Sequence, residues 1–319
     1  MRQIKHCLLT ITVTLLVISA LSNSAVVAQA PQMSEEKTAL YTKYYEKRQG
    51  GIDDEKVAYE LAQDFLQKFG ADDDTYVKAV RKFVAKYEAL QRELGFGQAF
   101  VAKDYPKALG FGRQILSKEP ENFKILVQVV QAGYLNSQNG NTSLNAESMT
   151  FAKQALQLLD SNKVTDPGPM TTIEDARGYL NFALGSFLIA SSPGEAALVL
   201  AKALKSSPSY KIDSATYFLL GNAIYSGEYQ QLATEYKERY AGKDESPEQK
   251  ALLERVNHAS DRAVDAMARA VALATKPEQQ AFKKQVLTQL TDIYKDFHNN
   301  SDAGLNELIA AVLTKPLPE

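Results

Sequence analysis

The chain is poor in the residues that most site chemistry uses. Its 319 residues include one cysteine, Cys7, no tryptophan and three histidines. A lone cysteine makes no intrachain disulfide and no thiolate-rich metal centre, so stability has to come from packing. Charge of one sign is scarce as well: 36 Lys and Arg stand against 38 Asp and Glu, a net of −2. A nucleic-acid binder needs a basic footprint to displace phosphate counterions, and that class is excluded. Beyond residue 30 no apolar run approaches the ~18 residues that a membrane-spanning helix requires.

Enzyme motifs are missing too. There is no G-x-S-x-G, no H-E-x-x-H, no Walker loop and no dinucleotide fingerprint. His258 stands among Arg255, Asp261 and Arg262, one residue off an apolar line, and reads as a solvated side chain. His298, beside Asn299 and Asn300, reads as a helix-end cap or an exposed residue. The clusters Asp53–Asp54 and Asp72–Asp73–Asp74 lack the alternate ligand spacing and glycine turn of a calcium loop, and stand where helix N-termini favour negative charge. No catalytic, metal-ligating or cofactor-binding residue is assigned, and the chain is read as non-enzymatic. A hydrolase site assembled from distant Asp, Glu and Tyr residues stays open on these grounds alone.

The first thirty residues differ from the rest. Arg2 and Lys5 precede an apolar run from Leu8 to Leu21, and the small-residue sequence "AQA" places Ala28 and Ala30 at a cleavage-type site. That order is a secretory signal, residues 1–30; retention as a membrane anchor is the minor alternative. Cys7 precedes the apolar run, so it is not the lipidated cysteine that follows one. Processing after Ala30 leaves 289 residues without cysteine and a net charge of −4, from 36 − 2 basic against 38 acidic residues. The expected location is the periplasm.

What is present is helical periodicity. Residues 31–91 read as N-terminal helices broken at Gly50–Gly51 and Gly70. In the third of them, Val77, Val80, Val84, Tyr87, Leu90 and Leu94 recur every three or four residues. No window alternates with period two, so the fold class is all-α. In "DYPKALGFGRQILSKEP", Asp104 opens a helix, Ala108 is a small contact residue and Pro120 is expected to stop the helix. "SPGEAALVLAKALKSSP" repeats the pattern: Ala196, Ala203 and Pro208 are spaced by 7 and 5, like Ala108, Ile115 and Pro120. Gly97, Gly185 and Gly221 each lie 11 residues before Ala108, Ala196 and Leu232, and Gly185 and Gly221 are 36 apart. Tyr217, Leu220 and Gly221 add a "Y..LG" opening. Loops are expected at 136–144 and 161–171, and residues 246–275 read as one long helix with Leu252, Val256, Ala259, Ala263, Met267, Ala270 and Ala274 on one side.

This small–aromatic–small–proline series resembles the tetratricopeptide repeat, a helix-turn-helix unit of ~34 residues. The resemblance covers roughly residues 90–275. It departs from the family in its short glycine-to-alanine spacing, its lack of tryptophan, and Ile115 and Leu232 in place of alanines. It implies an α-α superhelical solenoid with degenerate N-terminal helices, an array over 92–277 and a C-terminal capping helix pair within 278–319. The family's first helices line a concave groove where extended peptides dock. On this chain that gives Gln98 and Val101, then Phe182, Ser186 and Ile189, then Phe218, Asn222 and Tyr225. Only Asn222 fits the carboxylate clamp of chaperone adaptors, which is therefore not expected. The implied function is a periplasmic protein-interaction scaffold without integral membrane span; a glycan or small-molecule binder is the alternative.

Overall fold

The computed structural model describes residues 33–318; the signal-sequence assignment, with Cys7, Ala28 and Ala30, lies outside them. Among the described residues there is no strand, and none of the helices is long and apolar enough to cross a membrane. The helices are α1 (Glu35–Arg48), α2 (Ile52–Phe69), α3 (Thr75–Val101), α4 (Tyr105–Leu116), α5 (Phe123–Gln138), α6 (Asn145–Asp160) and α7 (Ile173–Leu188). They continue with α8 (Pro193–Ser206), the short α9 (Pro208–Lys211), α10 (Ser214–Ile224), α11 (Gln230–Tyr240), α12 (Pro247–Leu273), α13 (Gln280–Phe297) and α14 (Leu305–Ala311). A π-helical turn, Tyr225–Tyr229, joins α10 to α11, and a 3₁₀ turn, Val312–Thr314, follows α14.

The chain divides into two compact units between Val84 and Ala85, inside α3. In the first unit α1 packs on α2, and Tyr44, Phe65, Val77 and Val80 are fully enclosed. Lys37, also buried, extends its ammonium to the carboxylates of Asp72 and Asp74 and lies 5.6 Å from the Phe69 ring centroid. Asp74 accepts from the amides of Tyr76 and Val77 at 2.9 Å, the helix-start role expected of it.

In the second unit neighbouring helices pack pairwise, as in a helical repeat: α4 on α5, α5 on α6, α6 on α7, α7 on α8 and α8 on α10. Alternate helices α5, α7 and α10 also touch directly. The C-terminal ten residues of α7, "YLNFALGSFL", are apolar on nearly every side and buried from Tyr179 to Gly185 without a break. Close approach is built from small residues. A Cβ on Gly185 would fall 2.5 Å from Leu200 of α8, and Ala108, Ala196 and Ala203 are fully buried.

Three expectations need correction. The stretch around Gly221 and Leu232 forms no hairpin: α10, the π-turn and α11 make one rod, and its partner is α12. A Cβ on Gly221 would meet Met267 Cγ at 2.6 Å, while Leu232 packs with Leu252 and Ala259. The local sequence differs: α4 and α8 carry Pro106 and Pro193 in their first turn, where proline favours a helix start, and "YSGEYQQ" has no proline and stays helical. Next, Gly97 is exposed with open space beside it, and Gly95, two residues earlier, approaches the Phe111 ring instead. Finally, Pro120 stops nothing: α4 has ended at Leu116, and the Pro120 carbonyl accepts from Gln154 Nε2 at 2.7 Å. Pro208 likewise opens α9 one residue after Ser207 has ended α8.

Candidate interaction surface

The eight residues expected to line a groove are distributed over three environments. Phe182 is in the core, 5.3 Å from the ring of Tyr134 and 5.7 Å from that of Tyr210, with Ser186 half-buried one turn further along α7 and Ile189 half-buried at its C-cap. Tyr179 joins this cluster, its hydroxyl buried and without a hydrogen-bond partner among the described residues. Burial pushes the phenols of Tyr134, Tyr179 and Tyr210 up, and the negative charge of Asp213 adds to the shift at Tyr134 and Tyr210. These rings are packing elements between α5, α7 and α9. The signal that could have shown it is the nearly all-round apolar C-terminal part of α7, residues 179–188.

The second environment is covered by the chain itself. Phe218 meets Phe282 edge-on at 5.5 Å, Asn222 accepts a hydrogen bond from Gln289, and Tyr225 lies 6.5 Å from Phe297. All three partners belong to α13. Residues 218, 222 and 225 are therefore half-buried against side chains of α13, which itself packs on α12, rather than lining a free groove, and that expectation is corrected. Tyr229 of the π-turn adds to this contact, stacked on Tyr225 at 5.2 Å and 4.8 Å from Phe297.

The third environment is open. Gln98 and Val101, at the end of α3, are exposed, Val101 at 83%. They follow Leu90 and Leu94 of the same helix, which are 42% and 48% exposed. Leu90, Leu94, Gln98 and Val101 follow one another at intervals of 4, 4 and 3, on one side of the helix. The stripe is about 16 Å long at 1.5 Å per residue. The opposite side of the same stretch carries Phe96 and Ala99, buried at 3% and 4%. This helix end is held inward on one side and presents apolar side chains on the other.

A second open feature lies where the π-turn passes the start of α8. Gly227 sits against the backbone of Pro193 and Gly194, its Cβ position 3.0 Å from Gly194 N. Beside this contact is a cleft of about 760 Å³ lined by Ser226, Glu228, Gln231, Thr234, Glu235 and Glu238, among others. Arg262 pairs with Glu228 at 2.8 Å, and Arg239 with Glu235 at 2.6 Å. Its lining carries three carboxylates, Glu228, Glu235 and Glu238, the first two of them paired with these arginines. His258 is exposed, as expected; His298 stacks on Tyr294 at 3.8 Å with its Nδ1 2.8 Å from the Tyr294 carbonyl, closing the end of α13. Among the described residues no group of three His, Cys, Asp or Glu side chains has metal-binding geometry. Neither a scan against protein-family models nor a search of curated proteins returned a match.

Proposed function

We propose that this chain is an exported, non-enzymatic scaffold of tetratricopeptide-like helix pairs that binds another protein in the periplasm. Its contact surface is the exposed end of α3. The observation that carries this reading is the stripe Leu90–Leu94–Gln98–Val101, in which three exposed apolar side chains and one amide share a side of the helix. A stripe of this spacing and three-turn length matches the i, i+3, i+4 ridge of a second helix, so the occupant is an amphipathic helix of the partner. Export rests on the charged, apolar and small-residue order of residues 1–30.

Affinity capture from an envelope fraction tests it. The chain and a Leu94→Glu/Val101→Glu variant are used as bait; these exposed positions leave the fold intact. The partners retained by the parent chain should be lost with the variant. Identical partner sets would remove α3 as the docking surface.

A second reading, a glycan or small-molecule binder, is favoured by the 760 Å³ cleft beside the π-turn, whose hydroxyl, amide and carboxylate lining suits a polyol. A ligand selective for the native state raises the melting temperature, so a thermal-shift series with oligosaccharides and cell-wall fragments separates this reading from the first.

A further inference from the structure

Arg269 is a buried cation on α12, 5% exposed, and its guanidinium is served from two sides. Nε donates to Asp265 of its own helix at 2.6 Å. Nη2 donates to two main-chain carbonyls of a distant segment, Lys315 and Pro316, both at 2.9 Å. The guanidinium carbon lies 6.0 Å from the ring centroid of Tyr217 on α10. Segment 315–318, "KPLP", carries no regular secondary structure, and the backbone of Lys315 is extended. The side chains of Lys315 and Pro316 are exposed, and only Leu317 and Pro318 are half-buried. The segment is held by its two carbonyl contacts to Arg269 and by Leu317, which packs against the core.

We propose that Tyr217, Asp265 and Arg269 form a binding site for extended, proline-containing peptide segments, and that residues 315–318 occupy it in cis. The chemistry matches on both sides. Arginine has donors and no acceptor, and a guanidinium out of water needs acceptors. Pro316 and Pro318 have no N–H, and the Lys315 amide is used on the Val312 carbonyl at 3.3 Å, so the segment offers carbonyls with few donors left to satisfy. Proline also holds the preceding residue extended, which lowers the ordering cost of docking. Because recognition runs through backbone carbonyls, a partner's segment of the same kind can replace the chain's own. The site is separate from the α3 stripe and does not depend on that assignment.

The test is direct binding of a fluorescent peptide, TKPLPE, measured by anisotropy against the full chain and a chain ended at Thr314. The shortened chain should bind the peptide at least tenfold more tightly than the full chain, Arg269→Gln in the shortened chain should abolish binding, and Leu94→Glu should leave it unchanged. If the shortened chain fails to fold, Leu317→Asp in the full chain takes its place, with release of the segment verified by faster amide exchange over 315–318. A folded, released chain that binds the peptide no better than the parent overturns the proposal, as does binding that survives Arg269→Gln.

Discussion

Two stretches of the second unit start from the same spacing and end as different structures. Gly185 precedes Ala196 by 11 residues, and Gly221 precedes Leu232 by 11. The first pair folds into the hairpin α7–α8; the second runs straight through a π-turn and pairs with α12. In both, the glycine marks a place where a neighbouring helix comes close, Leu200 in one case and Ala263 with Met267 in the other. Small-residue spacing therefore specifies close approach and says nothing about which helix approaches. The turn is specified separately. In α7–α8 the amides of Ser191 and Ser192 return to the Leu188 carbonyl, and Pro193 begins the next helix. In the rod, the Gln230 amide reaches back five residues to Tyr225 and the helix continues.

The sharpest way to break this comparison is to give the rod the proline it lacks. Gln230 is exposed, so Gln230→Pro changes little but the backbone. It removes the amide that closes the π-turn and should cost about 3 kcal/mol in urea or thermal unfolding. The reverse change, Pro193→Ala at a helix start, should cost about 1 kcal/mol or less. If Gln230→Pro were silent, the stretch would already be a turn and the distinction would fail.

Next in size are the two glycines. A Cβ at Gly221 meets Met267 Cγ at 2.6 Å and also backbone, Ala263 O at 3.0 Å and Met267 N at 3.2 Å. At Gly185 only the Leu200 side chain is in the way, at 2.5–3.2 Å. Side chains yield more easily than helix backbones. Gly221→Ala should therefore cost about 1–3 kcal/mol, and Gly185→Ala clearly less. Equal melting temperatures for the two variants would contradict the close backbone contact between α10 and α12.

A smaller effect separates the regions by pH. Asp175, at the start of α7, accepts from Ser207 and Ser209 at the α8–α9 junction, and the Ser207 hydroxyl above all holds its carboxyl below the usual range, against burial, which acts in the other direction. A depressed pKa contributes stability above the unfolded value, and that contribution is lost as pH falls through the folded one. Acidification below the ordinary carboxylate range should weaken the parent chain more steeply than Asp175→Asn, as measured by melting temperature against pH. Parallel profiles would show that the α7–α9 junction gains nothing from the charge.

The helices were largely legible in the sequence because their determinants are local. Asp104 and Ser246 cap their helices through the amides of Lys107 and Gln249, and the line Leu252 to Ala274 is the packed side of α12. The pairing of helices was less legible, since the partner of Gly221 lies some forty residues away and nothing near Gly221 names it. The groove residues show the same limit more strongly. That Phe218, Asn222 and Tyr225 would meet Phe282, Gln289 and Phe297 depends on complementarity across more than sixty residues. Only the helical spacing of Leu90, Leu94, Gln98 and Val101 could be read directly, and their exposure is a property of the fold.

The smallest effect decides the most about the proposed surface. Gly95 and Gly97 are two residues apart on α3, hence on opposite sides of it. A Cβ at Gly95 would fall 2.5–2.9 Å from the Phe111 ring, whereas at Gly97 it meets nothing within 4 Å. Alanine is the better helix former, so Gly97→Ala should stabilise the chain by about 0.5–1 kcal/mol. Gly95→Ala should lose that gain to the ring and come out neutral or destabilising. Had the first helix pair followed the spacing of the second, the signs would be reversed. Gly97 also shares its side of α3 with Leu94 and Val101. A melting temperature that falls for Gly97→Ala would therefore mean that this side is packed, and the stripe on which the partner is proposed to dock would be buried with it.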